Sequence, residues 1–231
     1  VAPAQRRQIL PGPEGIQFLN FKNPALKPLI GKTLAQVAKE RGKSPEDTAM
    51  DLVAEDGSRV EVAYFLMDEA NVRRGLALPW MSFDSDASAP SLEGVFLNSS
   101  YHPRAFGNFA RLLGRYAHEC KIIPMEEAIR RLSSYPASVL SLPARGQLKP
   151  GFVADVAVFD PKTIYDLATF DKPQQYSIGM QYVAVNGQLV LDNREVTDAR
   201  PGRVVRGRAW TGAPGGGCRA GADQWPWPAL R

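Results

Sequence analysis

The sequence predicts an α/β protein, with an α/β body followed by a smaller unit of strands. Three observations carry this. Between residues 31 and 86 the patterns run helix, helix, strand, helix, strand, an alternation that favours parallel strands joined by helices. After Gly146 the texture changes to short apolar strands, at 152–159, 181–185 and 188–191. Between the last two stands Asn186-Gly187, a strong hairpin turn because both positions accept positive φ.

Residues 1–15, rich in Pro and Gln with Arg6 and Arg7, read as a loop. Residues 15–21 alternate apolar and polar and read as a strand. Pro24 and Pro28 interrupt the next stretch of chain. Residues 31–42 read as a helix with Leu34, Val37 and Ala38 on its apolar stripe and Gly42 as its stop. Ser44 is placed as an N-cap, with Pro45 at the first helical position and Asp47 completing an S-x-x-D pattern. That helix is expected to run to about Val53, ahead of a turn at 55–58. Residues 60–66 read as a buried strand. Asp68 caps a helix to about Leu76, and residues 80–83 form a second short buried strand. It ends in the carboxylate-rich turn Asp84-Ser85-Asp86. A long loop covers 87–103. A helix over 105–120 puts Phe109, Leu112, Leu113 and Tyr116 on its buried side. Pro124 starts another helix to about Ser133, and Pro136 opens a short one to Leu142.

This gives an α/β body over 1–145, a β unit over 146–205 and a tail over 206–231. Residues 211–231 hold five Gly and three Pro, which reads as disorder. The chain has 231 residues and a net charge of +4. From Arg200 onward there are six Arg, no Lys and one acid, so the tail carries +5 and the other 199 residues −1. The body therefore has no nucleic-acid footprint, and the basic tail reads as solvated. No run of 18 apolar residues is present, so no membrane span is expected. The opening residues show no apolar signal-peptide core. Two cysteines, Cys120 and Cys218, stand far apart without a CxxC pair, and point to a cytoplasmic location.

Asp86 is the leading catalytic candidate. Side chains at the C-terminal ends of strands do the chemistry in α/β folds, and a carboxylate there can bind a metal or take a proton from water. The commoner reading of such a residue is a cap or loop carboxylate. His102-Pro103-Arg104 lies in the following loop. Its arginine suits an anionic substrate, because guanidinium grips carboxylate bidentately; a surface arginine is the commoner reading here too. His118, on a helix beside Glu119, reads as structural. Gly31-Lys32-Thr33 is rejected as a phosphate loop, since Leu26 stands where that pattern needs glycine. Two histidines, with no HxH, HExxH or Cys/His cluster, supply no familiar zinc spacing.

Several segments together resemble one family. GKTLAQVAKERGKSPEDTAMDLV, YFLMDEANVRRGLALPWMSFDSDAS, HPRAFGNFARLLGRY, IPMEEAIRRLSSYPASVLSLPARGQLKPGFVADVAVFDP and VAVNGQLV are similar to the N-acyl-D-amino-acid deacylases of the amidohydrolase superfamily. The resemblance spans roughly residues 14–210. The segment from Gly146 to Asp155 marks the superfamily broadly; HPRAFGNFARLLGRY beside FDSDA is more specific to the deacylases.

The resemblance implies a (β/α)8 metallo-dependent hydrolase barrel, of which residues 1–145 are the C-terminal portion, with residues 146–205 returning to a small β-sandwich. It implies hydrolysis of the amide bond of N-acyl-D-amino acids with zinc, whose main ligands would lie upstream of Val1. It implies that Asp86 contacts the metal site and shuttles a proton from water to the leaving amine. Arg104 would clamp the substrate's α-carboxylate, and His102 would support that loop. The missing N-terminal half of the barrel would be the chain's partner. One departure stands out: the family has glycine where this sequence has Asp84, placing two like charges in one turn. Two other readings stand beside this one. A dihydroorotase- or hydantoinase-like cyclic amidase is opposed by the HPR segment. A non-catalytic truncated amidohydrolase fragment is favoured by the missing metal ligands.

Overall fold

The computed structural model describes residues 11–206. Of the loop expected over residues 1–15, residues 1–10 lie outside them, as does the disordered tail expected beyond Arg206, while Pro13–Gly15 form a single 3-10 turn. The fold mixes helix and sheet.

Strand β1 (Ile16–Asn20) pairs antiparallel with β2 (Glu61–Tyr64), Phe18 opposite Val62. Between them lie α1 (Leu34–Arg41) and α2 (Pro45–Asp56). Their ends follow the sequence closely. Thr33 accepts from the Gln36 backbone N–H while Gln36 Oε1 accepts from the Thr33 N–H, a complete capping box. Ser44 accepts from the Asp47 N–H. Helix α2 runs to Asp56, three residues past its expected end, because Gly57 at φ +62 is the left-handed cap that stops it. Phe18, Phe21, Leu26, Leu34, Val37 and Leu52 form the core here.

Two strand expectations need correction. The strand over 60–66 shrinks to β2 and is not buried: Tyr64, Phe65 and Leu66 are about half exposed. Residues 80–83 form no strand. Trp80 is 66% exposed, its carbonyl accepts from the Tyr135 hydroxyl at 2.8 Å, and Phe83 alone reaches the core. Both segments are apolar enough to read as interior strands, but neither has strands on two sides among the described residues. The parallel pairing expected from the alternation is absent there too; both sheets are antiparallel.

A second core gathers around a long helix. Helix α3 (Glu69–Ala77) is capped by Asp68, which accepts from the Asn71 N–H. Helix α4 (Arg104–Arg111) runs without a break into a π-helix (Leu112–Glu119), where the Cys120 N–H reaches the Arg115 carbonyl five residues back at 2.8 Å. Leu112, Leu113, Tyr116 and Ala117 are buried with Ile123, Ala128 and Ile164. Phe109, expected beside them, is 48% exposed. Helix α5 (Met125–Leu132) and α6 (Ser134–Val139) follow. Arg131 is almost wholly buried: it pairs with Glu127, donates to the Leu76 and Leu78 carbonyls, and lies over the Phe83 ring. It ties α5 to the end of α3 and to the chain entering the Asp84–Asp86 turn.

The last sheet has the order β3 (Val156–Phe159), β4 (Met180–Val185), β5 (Gln188–Asp192), β6 (Glu195–Val196). Asn186 at φ +48 and Gly187 at φ +80 make the expected hairpin. Strand β6, two residues long, had no signal in the sequence. This sheet meets the helices at Ile164, which is held between two glycines. A Cβ on Gly114 would stand 2.1 Å from the Ile164 carbonyl oxygen, and one on Gly179 would stand 2.4 Å from its backbone. Glycine is required at both positions for the two parts to close.

Candidate active site

Asp86 sits not at the end of a strand but in the extended chain after Phe83, with φ +45. A left-handed aspartate is tolerated more readily than most side chains, yet remains uncommon. The turn is held from α4. Asn108 Nδ2 donates to the Asp84 carbonyl at 2.9 Å. Arg104 Nη2 donates to the Asp86 carbonyl at 2.7 Å and lies 2.9 Å from Asp86 Oδ2. Arg104 and Asn108 are one helical turn apart, so both face the same stretch of chain.

The two carboxylates of the turn do not converge on one partner. Asp84 Oδ1 accepts from the Ser85 backbone N–H at 2.6 Å, while Asp86 goes to Arg104.

His102 lies just ahead of α4. Its Nδ1 accepts from the Arg104 backbone N–H at 3.1 Å, so the neutral ring carries its proton on Nε2. Burial pushes the imidazole below its ordinary pKa, and the Arg104 cation adds to the effect. The ring meets Phe170 edge-on at 4.9 Å, and Phe170 meets Phe65 at 4.6 Å. The stack ties the helix entry to the exit of β2. The structure thus brings Asp86, Arg104 and His102 together. His118 is exposed on the π-helix and takes no part.

Sequence reasoning missed three contributors. Asn108 carried a usable signal, four residues after Arg104. Phe170 and Arg194 reach the region from distant parts of the chain and carried none. Arg194 borders a cavity of about 640 Å3 between residues 85–89, α4 and the β4–β6 strands.

A zinc ion would not be held by these residues alone. Among the described residues no group of three or more His, Cys, Asp or Glu side chains is placed to bind a metal. Of the two carboxylates here, Asp86 is on Arg104 and Asp84 accepts from the Ser85 backbone N–H, and His102 Nδ1 accepts a backbone N–H.

The amidohydrolase family model matches residues 101–191, which include His102 and Arg104. A D-aminoacylase from Alcaligenes xylosoxydans xylosoxydans is 37% identical over 177 residues, covering 77% of this chain and 34% of that protein. The match places residues 101–191 in the amidohydrolase family.

The chain spans about a third of the length of the curated relatives it matches. Among solved structures, a D-aminoacylase superposes with a TM-score of 0.72 at 34% identity, covering 83% of this chain and 38% of that one. An N-acyl-D-glutamate deacylase from Bordetella bronchiseptica superposes with a TM-score of 0.71 at 35% identity, covering 84% of this chain and 38% of that one. It was solved with zinc and a phosphonate inhibitor that mimics the tetrahedral intermediate of its reaction. No helix among the described residues is long and apolar enough to cross a membrane.

Proposed function

We propose that this chain is part of a hydrolase that cleaves the amide bond of N-acyl-D-amino acids, releasing a carboxylate and a D-amino acid. The observation that carries the reading is the contact of Arg104 with both the carboxylate and the carbonyl of Asp86 at a left-handed turn. Kinship with D-aminoacylase and N-acyl-D-glutamate deacylase supports it.

In this reading Asp86 carries the proton, taking it from the attacking water and returning it to the departing amine. Arg104 holds the α-carboxylate and thereby orients the D-centre. The two roles are coupled. An arriving carboxylate competes with Asp86 for the guanidinium, and the competition frees Asp86 to act as a base. His102 keeps the first turn of α4 in place through the Arg104 N–H. Zinc enters the proposal as the metal of a relative. The described residues do not hold it alone, so its main ligands, beyond any contact from Asp86, are assigned to the remainder of the enzyme.

The same reading assigns residues 1–145 to the closing part of a (β/α)8 barrel and residues 146–205 to a β-sandwich return. The change from helices to antiparallel strands after α6 supports that division. A cytoplasmic location, read from two cysteines far apart in the sequence with no CxxC pair, belongs to the proposal as well. A second reading, a fragment without catalysis, is favoured by the lack of a metal-binding group among the described residues.

The test is an assay of the whole enzyme carrying this chain, supplied with zinc, on N-acetyl-D- and N-acetyl-L-amino acids. Turnover of the D-series is expected, and Asp86→Asn should lower kcat by about 10²–10⁴-fold. Near-normal turnover in that variant would remove Asp86 from the chemistry. A zinc-loaded protein inactive on both series would favour the second reading.

A further inference from the structure

The cavity beside α4 has a lining with an unusual charge balance. Its walls are largely apolar, including Phe106, Phe109, Ile178, Met180 and Leu191. Its charged lining residues are two arginines, Arg104 and Arg194, and no Asp or Glu lines it. Asp86, outside the lining, compensates Arg104. Arg194 lines it from the turn after β5. Its Nε donates to Gln181 Oε1 at 3.1 Å and its backbone N–H to the Gln181 carbonyl at 2.9 Å, which fixes the arginine over β4. Its charge also reaches Asp160, whose carboxyl is held low chiefly by the Lys162 backbone N–H and least by Arg194.

The backbone at Arg194 adds an independent observation. It occupies the second position of a two-residue turn between β5 and β6 with φ +74, after Asn193 at φ +46. Glycine is the favoured residue at that position. An arginine there costs stability, and such residues gather at ligand sites. At about 640 Å3 the cavity falls within the roughly 300–1,000 Å3 of small-molecule sites.

We propose that this cavity binds an organic carboxylate with an apolar body, the body lying against Phe109, Ile178 and Met180 and the carboxylate on the Arg194 guanidinium. The lack of acidic lining excludes cations, and the apolar walls disfavour small inorganic anions, which gain nothing from leaving water. Two sources share this chemistry: a free fatty acid and an acylated amino acid.

The test is a calorimetric titration of the whole enzyme with octanoate, N-octanoyl-L-alanine (the enantiomer the proposed hydrolase leaves uncleaved), octanol and inorganic phosphate. It is read alongside the 13C-methyl resonance of Met180, assigned by Met180→Leu. A carboxylate bound outside the cavity, at a metal included, leaves that methyl unmoved, and Arg194→Gly tells binding on Arg194 from binding on Arg104, which lines the same cavity. Octanoate or N-octanoyl-L-alanine should bind and shift Met180, and the tighter of the two identifies the source. Arg194→Gly should weaken binding by about tenfold or more, as loss of a charge-assisted hydrogen bond implies. It relieves a positive φ and so should melt no lower than the parent, which separates lost binding from lost folding. Arg194→Lys should retain most of the affinity. Equal binding of octanol or of phosphate, a silent Met180 methyl, or undiminished binding by Arg194→Gly would each overturn the proposal. No turnover is involved, so the outcome is independent of the hydrolase reading.

Discussion

Arg104 spends its guanidinium on Asp86, and that contact sets what its removal should do. Arg104→Ala takes away the proposed clamp and also leaves Asp86 with no cation. In the whole enzyme it should raise KM for N-acyl-D-amino acids by about 10- to 100-fold, with a smaller change in kcat. Arg104→Lys should recover part of the loss, since lysine keeps the charge but not the fork. An unchanged KM in Arg104→Ala would mean that the arginine only braces the turn. The three residues expected from the sequence were legible because they lie in two short segments, FDSDA and HPR. Their mutual contact was not legible. It depends on the left-handed backbone at Asp86 and on the direction in which α4 leaves the loop. Phe170 shows the limit of such reading: a phenylalanine in a polar loop looks incidental until its ring meets His102 and Phe65.

Helix ends were legible because they rest on local rules. Gly42, Ser44 and Asp68 cap as their residue types dictate, while the Thr33 capping box that starts α1 was passed over. The π-helix was not. A heptad-like reading of 105–120 assumes 3.6 residues per turn throughout, and the wider turns after Arg111 break that phase. Phe109 was placed in the core by this assumption and instead forms a wall of the cavity. Helix α5 carries a testable electrostatic device. Glu127 is pulled down to about 2, chiefly by its hydrogen bond from Arg130 and next by that from Arg131. A carboxyl depressed on folding contributes stability above its unfolded pKa and loses it as pH falls through the folded value. Glu127→Gln should therefore lower the melting temperature at pH 7, and the gap to the parent should close as pH falls from about 4.5 towards 2. A gap that stays constant over that interval would mean that shape, not charge, gives Glu127 its role.

At the scale of the molecule, several large apolar side chains stand exposed among the described residues. Tyr64, Phe65, Leu66, Met67 and Trp80 are 47–78% exposed, and among the described residues β2 has a strand on one side only. An unpaired strand edge with such neighbours invites association. Expressed alone, the 231 residues should associate and bind a hydrophobic dye, and co-expression with the rest of the enzyme should suppress both. A soluble monomer with a sharp cooperative melt would contradict this. The joint between helices and sheet behaves differently. Ile164 sits where neither Gly114 nor Gly179 leaves room for a methyl group, so its fit is one of backbone against backbone. Such a joint has no intermediate settings: the sheet cannot creep along the helix by small rotamer changes, and it is either seated or apart. The helix bears Arg104 and the sheet bears Arg194. The span between the two guanidinium roots is therefore set like the gap of a fixed gauge, and a ligand that bridges them would be selected by length.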